Sequence, residues 1–292
     1  MTRNHRRSAL RLATIVGLFV VVLGAGALTV SAWLTRLDAE PLVERCAAVS
    51  EGTSWYLAPD QADTAALVAG TSLRRGLPAR ATTIALATGL QESKLRNIEH
   101  GDRDSVGIFQ QRPSQGWGTV EQILDPVFAT NAFFDALVEV DGYEDLPITE
   151  AAQAVQRSGF PDAYAQHEAL ARAWASALYG YSPGAVTCTL PDADGPGDPA
   201  AVVARIDRDL GLVATVADDG TVLVDASPMA GAPADAVRLG WAVAHWAVAV
   251  ASPLEVVEVS HAGSTWVRSD AEWSSTPDDV LADGQVRITL AG

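Results

Sequence analysis

The chain has 292 residues, 48% of them hydrophobic, enough to fill one large or two modest cores, and its formal net charge is −16. Residues 1–34 hold four arginines (Arg3, Arg6, Arg7, Arg11) and no acid, so 16 of the 20 basic residues face all 36 acidic ones from position 35 onward, a net −20. That balance excludes a nucleic-acid binder, which needs a basic footprint on phosphate.

From the N-terminus, Leu12 to Leu34 is a run of 23 residues without a charge, long enough to cross a hydrocarbon core of about 30 Å. It predicts one transmembrane helix that ties the protein to the cytoplasmic membrane. The arginines before it place residues 1–11 in the cytoplasm and the bulk of the chain outside. Val30-Ser31-Ala32 would serve as a signal-peptide cleavage site, but the run exceeds the usual 7–15 apolar residues of a signal peptide, so an uncleaved anchor is expected. Residues 35–45 read as a stalk. Cys46 lies too far past the apolar run, behind Glu44-Arg45, to be a lipoprotein cysteine. The chain's only two cysteines, Cys46 and Cys188, both fall on the outer side and predict one disulfide, the other reading being two unrelated buried thiols. Closing so long a loop contributes about 4–5 kcal/mol by chain entropy.

Between Asp60 and Gly180 the pattern is helical. Asp60 is a candidate cap before "QADTAALVAGTSLRRG", Gly76-Leu77-Pro78 is a break, and "ARATTIALATGLQES" is a second helix. Thr119-Val120-Glu121-Gln122 has the form of a capping box. Helices follow at about 126–140, 149–158 and 162–179, separated by "DGYEDLP" and Gly159-Phe160-Pro161. "LPDADGPGDPA" is the clearest linker. Beyond it come a helix near 199–210, a hairpin around Asp218-Asp219-Gly220, a long helix ending near Leu254, and strands near 255–260, 264–268 and 285–290. Leu239 to Leu254, with His245 inside it, is too short to span a membrane and reads as a core helix. The expected architecture is a mainly α domain over 46–188, preceded by the transmembrane helix (1–34) and stalk (35–45). A linker (189–198) then joins it to a small α+β domain over 199–292.

The chemistry concentrates where an Ala/Leu/Ile-rich helix ends in Glu92-Ser93 and runs into "KLRNIEHGDRDSVGIFQQRPSQGWGT". Lowered polarity raises a carboxyl pKa toward the range in which the group donates a proton near neutral pH, which glycosidic cleavage requires. Gln110, Gln111, Ser114, Gln115 and Trp117 are the neutral hydrogen-bonding and stacking groups that sugars use.

Here the sequence resembles the soluble lytic transglycosylases of the lysozyme-like superfamily. Glu92-Ser93 followed by Gly107, Ile108, Phe109 and Gln110 is similar to that family's "E-S … G-L-M-Q" signature. "DPVFATNAFFDAL" looks like its "D-P … N … G … Y-L" helix, and "AAQAVQRSGFPDAYA" occupies the place of its "A-A-Y-N-A-G" segment, with Gly159 retained. The three blocks span residues 58–180. The resemblance implies a lysozyme-like fold for the helical domain and cleavage of peptidoglycan glycan strands at the N-acetylmuramic acid to N-acetylglucosamine linkage. It assigns Glu92 as general acid then base, Ser93 and Gln156 as its orienting neighbours, and Gly107 to Gln110 as the cleft wall. The chain departs from the family at Gln156, where a tyrosine that positions the acid is usual, and at Arg157, where an asparagine is usual. Arg157 is read either as binding an anionic group of the substrate or as pairing with Asp162. Asp102, Asp104 and Glu99 are the carboxylates a hydrolytic mechanism could recruit.

Two rivals remain. One is a non-catalytic peptidoglycan-binding or scaffold protein that keeps the fold, which the replaced tyrosine favours and the retained Glu92 opposes. The other is a membrane-complex adaptor whose working part is the α+β region. No cofactor is expected: the five histidines (His5, His100, His167, His245, His261) are scattered, and neither CxxC nor HxxxH occurs. Phosphate-loop and G-x-S-x-G patterns are also absent. The apolar run holds no charge, so the chain has no transport pathway of its own. The sequence identifies no protein partner.

Overall fold

The structure, a computed structural model, describes residues 43–157, 161–232 and 235–292. The apolar run 12–34, the stalk up to residue 42 and Gly159 lie outside the described residues. Residues 43–292 form one compact unit.

The chain opens with a hairpin, β1 (Arg45–Ser50) and β2 (Thr53–Leu57). Its two-residue loop, Glu51-Gly52, has φ values of 51° and 75°, the left-handed conformations that let strands reverse within two residues. Five helices follow: α1 (Pro59–Arg74), α2 (Ala79–Ser93), α3 (Val120–Leu124), α4 (Pro126–Val138) and α5 (Ile148–Gln156). A 3-10 segment (Pro161–His167) leads into α6 (Glu168–Leu178), and β3 (Val186–Thr189) returns to pair with β1. The expected capping box is present at α3: the Thr119 hydroxyl accepts from the Gln122 backbone N–H, and the Gln122 side chain accepts from Thr119 N. Beyond Asp198 come α7 (Pro199–Leu210), β4 (Ala214–Val216), β5 (Val222–Asp225) and α8 (Ala236–Ala249). The chain closes with β6 (Val256–His261), β7 (Ser264–Val267), β8 (Glu272–Ser275) and β9 (Gln285–Leu290).

The expected mainly α architecture is overturned, while the transmembrane helix expected at 12–34 falls outside the described residues. The described residues form an α+β molecule with two antiparallel sheets, one of three strands ordered β2-β1-β3 and one of six ordered β4-β5-β9-β6-β7-β8. Among the described residues no helix is long and apolar enough to cross a membrane. The three-stranded sheet escaped the sequence reading because its strands are short. The Ala47-Ala48 pair in β1 also lacks the β-branched enrichment that marks a strand. Cys46 and Cys188 sit directly opposite each other on β1 and β3 and form the disulfide.

α8 fixes how the six-stranded sheet meets the helices. It is apolar nearly all round, as a helix buried on every side must be, and packs on β6 and β9 on one side and on α1, α6 and β3 on another. His245 stitches these layers together. The Ala185 N–H donates to its Nε2 at 3.1 Å, so the proton resides on Nδ1, which donates to the Ala177 carbonyl at 2.7 Å. Full burial pushes the His245 pKa down to about 4. A second tie is ionic. Asp209, at the end of α7, is 0% exposed and accepts from Arg205 Nε (2.7 Å), Arg208 Nε (2.7 Å) and Trp246 Nε1 (3.0 Å). Arg205 also donates to Asp63 of α1 at 2.7 Å.

Candidate active site

α2 is the helix that carries the site. Small and aliphatic residues from Ala81 to Leu90 are buried along it, and it packs against α1, α5, α6 and the 3-10 segment. Its C-terminus is unusual. Lys94 and Leu95 both take φ of 57°, which turns the chain back so that the fully buried Leu95 lies under the helix. Gly89 makes this fold-back possible, since a Cβ there would meet Leu95 Cδ2 at 2.7 Å and Ile108 Cγ2 at 3.3 Å. A glycine inside a helix costs about 1 kcal/mol against alanine. Here it lets an apolar anchor hold the last turn, which bears Glu92.

Glu92 is half-buried. The Tyr164 hydroxyl, in the 3-10 segment, donates to its Oε1 at 2.8 Å. Burial raises the Glu92 pKa above its ordinary value of 4.5, and the hydrogen bonds from Tyr164 and Gln156 only partly oppose this. These partners are neutral, so the carboxyl is desolvated without a counter-charge. Tyr164 itself is fully buried. Sequence reasoning missed it by looking for the family's tyrosine at position 156; the available signal was the one tyrosine in "SGFPDAYA", 8 residues further on.

The turn Gly107–Gln110 faces the end of α2 and is held by its own carbonyls. Ser93, 8% exposed, donates from Oγ to the Ile108 carbonyl at 2.7 Å and accepts from Arg96 N at 3.1 Å. Gln156 Nε2 donates to the Phe109 carbonyl at 2.7 Å. Ser93 and Gln156 therefore position the turn, and Gln156 reaches both the turn and Glu92. Gly107 adopts φ of 79°, and a Cβ there would lie 2.8 Å from the Ile123 carbonyl. Ile108 and Phe109 point into the core, where Phe109 stacks on Phe133 with ring centroids 4.5 Å apart. Neither side chain is therefore open to a ligand, and none of Gly107 to Gln110 is among the residues that line the neighbouring groove. Gln110, at φ of 48°, donates from Nε2 back to the Gly107 carbonyl at 3.2 Å. Gln111 is 1% exposed and donates to the Ala129 carbonyl, which removes it from any surface a sugar reaches.

A groove of about 600 Å³ runs beside this turn. It is lined by Gln115 and Trp117 from the loop, Ala136, Glu139 and Val140 from α4 and its end, and Ala154, Val155, Gln156 and Arg157 from α5 and its end. Glu92 is not among these lining residues. Gln156 is the residue common to the groove and the acid's surroundings. Ser114 lies outside the groove, with its N–H and hydroxyl donating to Asp104 at 2.8 and 3.0 Å. Arg112 Nε adds a third bond to Asp104 at 2.9 Å, and together these contacts hold the Asp104 carboxyl far below the usual carboxylate range. Asp104 thus staples the loop. Asp102 and Glu99 are exposed. Arg157 makes no ion pair with Asp162. Among the described residues no group of three or more His, Cys, Asp or Glu side chains is arranged to hold a metal ion.

Compared with known proteins, the chain matches no family model and no curated protein.

Proposed function

We propose that the protein cleaves the glycan strands of peptidoglycan, with Glu92 as its general acid and then base, as the resemblance to lytic transglycosylases implies. One observation carries the reading: Glu92 is a half-buried carboxyl with a raised pKa and only neutral hydrogen-bond partners, one of which, Gln156, lines the groove. A pure binder gains nothing from desolvating an acid in this way.

The chemistry follows from that state. Protonated Glu92 gives its proton to the glycosidic oxygen as the C1–O bond breaks, and the next sugar leaves as an alcohol. The resulting carboxylate takes the proton of the nucleophile that attacks C1. The nucleophile is either the substrate's own 6-hydroxyl, closing an anhydro ring, or water. Asp104, one of the three sequence candidates for a second carboxylate, is consumed by Ser114 and Arg112, which favours the route needing one acid. Tyr164 and Gln156 hold the Glu92 oxygens without neutralising the proton it must donate. Trp117 and Gln115 offer a stacking face and an amide to the strand.

The test is mass analysis of soluble products after the protein is incubated with intact sacculi. Anhydro-ended muropeptides are expected, and the Glu92→Gln variant should release none while still binding the sacculi. Reducing ends would replace ring closure by hydrolysis. Binding without release by the unaltered protein would establish the scaffold reading instead.

A further inference from the structure

We infer that the groove selects glycan bearing a carboxylate, and that Arg157 recognises it. This rests on the glycan-cleaving reading above.

Arg157 follows α5 directly, at φ of 51°. A left-handed residue closing a helix is ordinarily glycine or asparagine, because a side chain there costs energy. The chain accepts that cost at the one position in the groove where the resulting side chain is a guanidinium. Arg157 is exposed and lines the groove beside Gln156. Its backbone N–H is satisfied by the Gln153 carbonyl at 2.8 Å. Among the described residues its side chain makes no ion pair, whereas Arg75, Arg96, Arg112, Arg205 and Arg287 are each committed to an aspartate. It is also the only cation among the groove's lining residues, and Glu139, their only acid, does not pair with it. A bound carboxylate is therefore drawn to the α5 side and repelled from the α4 side, which fixes how a strand lies between Trp117 and Gln156. Guanidinium is suited to this task because its planar fork takes both carboxylate oxygens.

On a glycan strand the carboxylate has two sources, the lactyl group of a peptide-free muramoyl sugar or the carboxylates of an attached stem peptide. Glu92→Gln protein, which holds glycan without cutting it, is titrated calorimetrically with three tetrasaccharides of equal length. These are neutral chitotetraose, a muramoyl tetrasaccharide with free lactyl carboxylates, and the same tetrasaccharide carrying stem peptides. At least one anionic glycan should bind about tenfold tighter than chitotetraose, and its identity names the source. Adding Arg157→Gln should bring that glycan to within about twofold of the neutral one, and Arg157→Lys should restore part of the preference. Equal affinity for all three glycans, or a preference that survives Arg157→Gln, overturns the inference. In that case release from sacculi by the unaltered protein still upholds the glycan-cleaving reading. Failure of every glycan to bind, together with no release from sacculi, overturns both.

Discussion

Glu92 and Asp209 are both carboxylates taken out of water, one at the rim of α2 and one at the junction of α1, α7 and α8, and their surroundings differ in kind. Asp209 is fully buried, and its oxygens are occupied by two guanidinium groups and an indole N–H. Glu92 is half-buried and meets a phenol and an amide. A buried carboxylate matched by cations leaves those cations stranded when it is lost, so it serves the fold. One matched only by neutral donors keeps a proton to higher pH, so it is available for chemistry. Sequence offers little to tell the two apart, since each lies near the end of a helix.

The contrast is broken most forcefully by exchanging each acid for its amide. Asp209→Asn should cost about 3 kcal/mol, because the half-buried Arg205 is left with Asp63 alone and Arg208 with no acid, while glycan release below the lowered melting point persists. Glu92→Gln should abolish release and move stability by less than about 1 kcal/mol. Urea unfolding followed by circular dichroism, with release assayed on the same samples, checks both. Loss of activity in both variants at temperatures where both are folded would contradict the division of labour.

His245 sharpens the comparison, being a third buried titratable group that serves the fold. Its folded-state pKa of about 4 lies below its ordinary 6.5, so the unfolded chain binds the extra proton. Its contribution is therefore complete above pH 6.5 and is lost as pH falls toward 4, by roughly 3 kcal/mol in all. The urea midpoint should drop between pH 7 and pH 4. In His245→Leu it should be lower at pH 7, since Ala185 N–H and Ala177 O lose their partner, and should depend less on pH. An equal slope in the two proteins would remove His245 from the account.

The smallest expected effect is at Tyr164. Its hydrogen bond favours ionised Glu92, so Tyr164→Phe should raise the Glu92 pKa further. The alkaline limb of the activity profile should then shift to higher pH, while the overall rate falls about 10- to 100-fold because the acid is less well held. A lower rate with an unmoved limb would make Tyr164 a packing residue only.

What the sequence disclosed and what it hid follow the range of the interactions. Local signals were legible: the Thr119–Gln122 capping box, α7 after its Pro/Gly-rich lead, the hairpin at Asp219-Gly220, and Glu92 at the end of an apolar helix. The disulfide followed from there being only two cysteines. Hidden were features that depend on distant parts of the chain. Tyr164 lies 72 positions from Glu92, β3 pairs with β1 across nearly the whole helical region, and Gln111 is buried because α4 happens to offer it the Ala129 carbonyl. Of the two sequence readings of Arg157, the ion pair with its near neighbour Asp162 does not form, and the residue lines the groove at the end of α5.

The central claim is that Glu92 holds its proton above the ordinary carboxyl range because it is desolvated without a counter-charge. Its titration can be read directly from the side-chain carboxyl carbon by NMR, assigned by comparison with Glu92→Gln. The account predicts a midpoint clearly above 4.5. A midpoint at or below that value would mean a solvated or charge-paired carboxylate, and the case for Glu92 as the working acid would be lost.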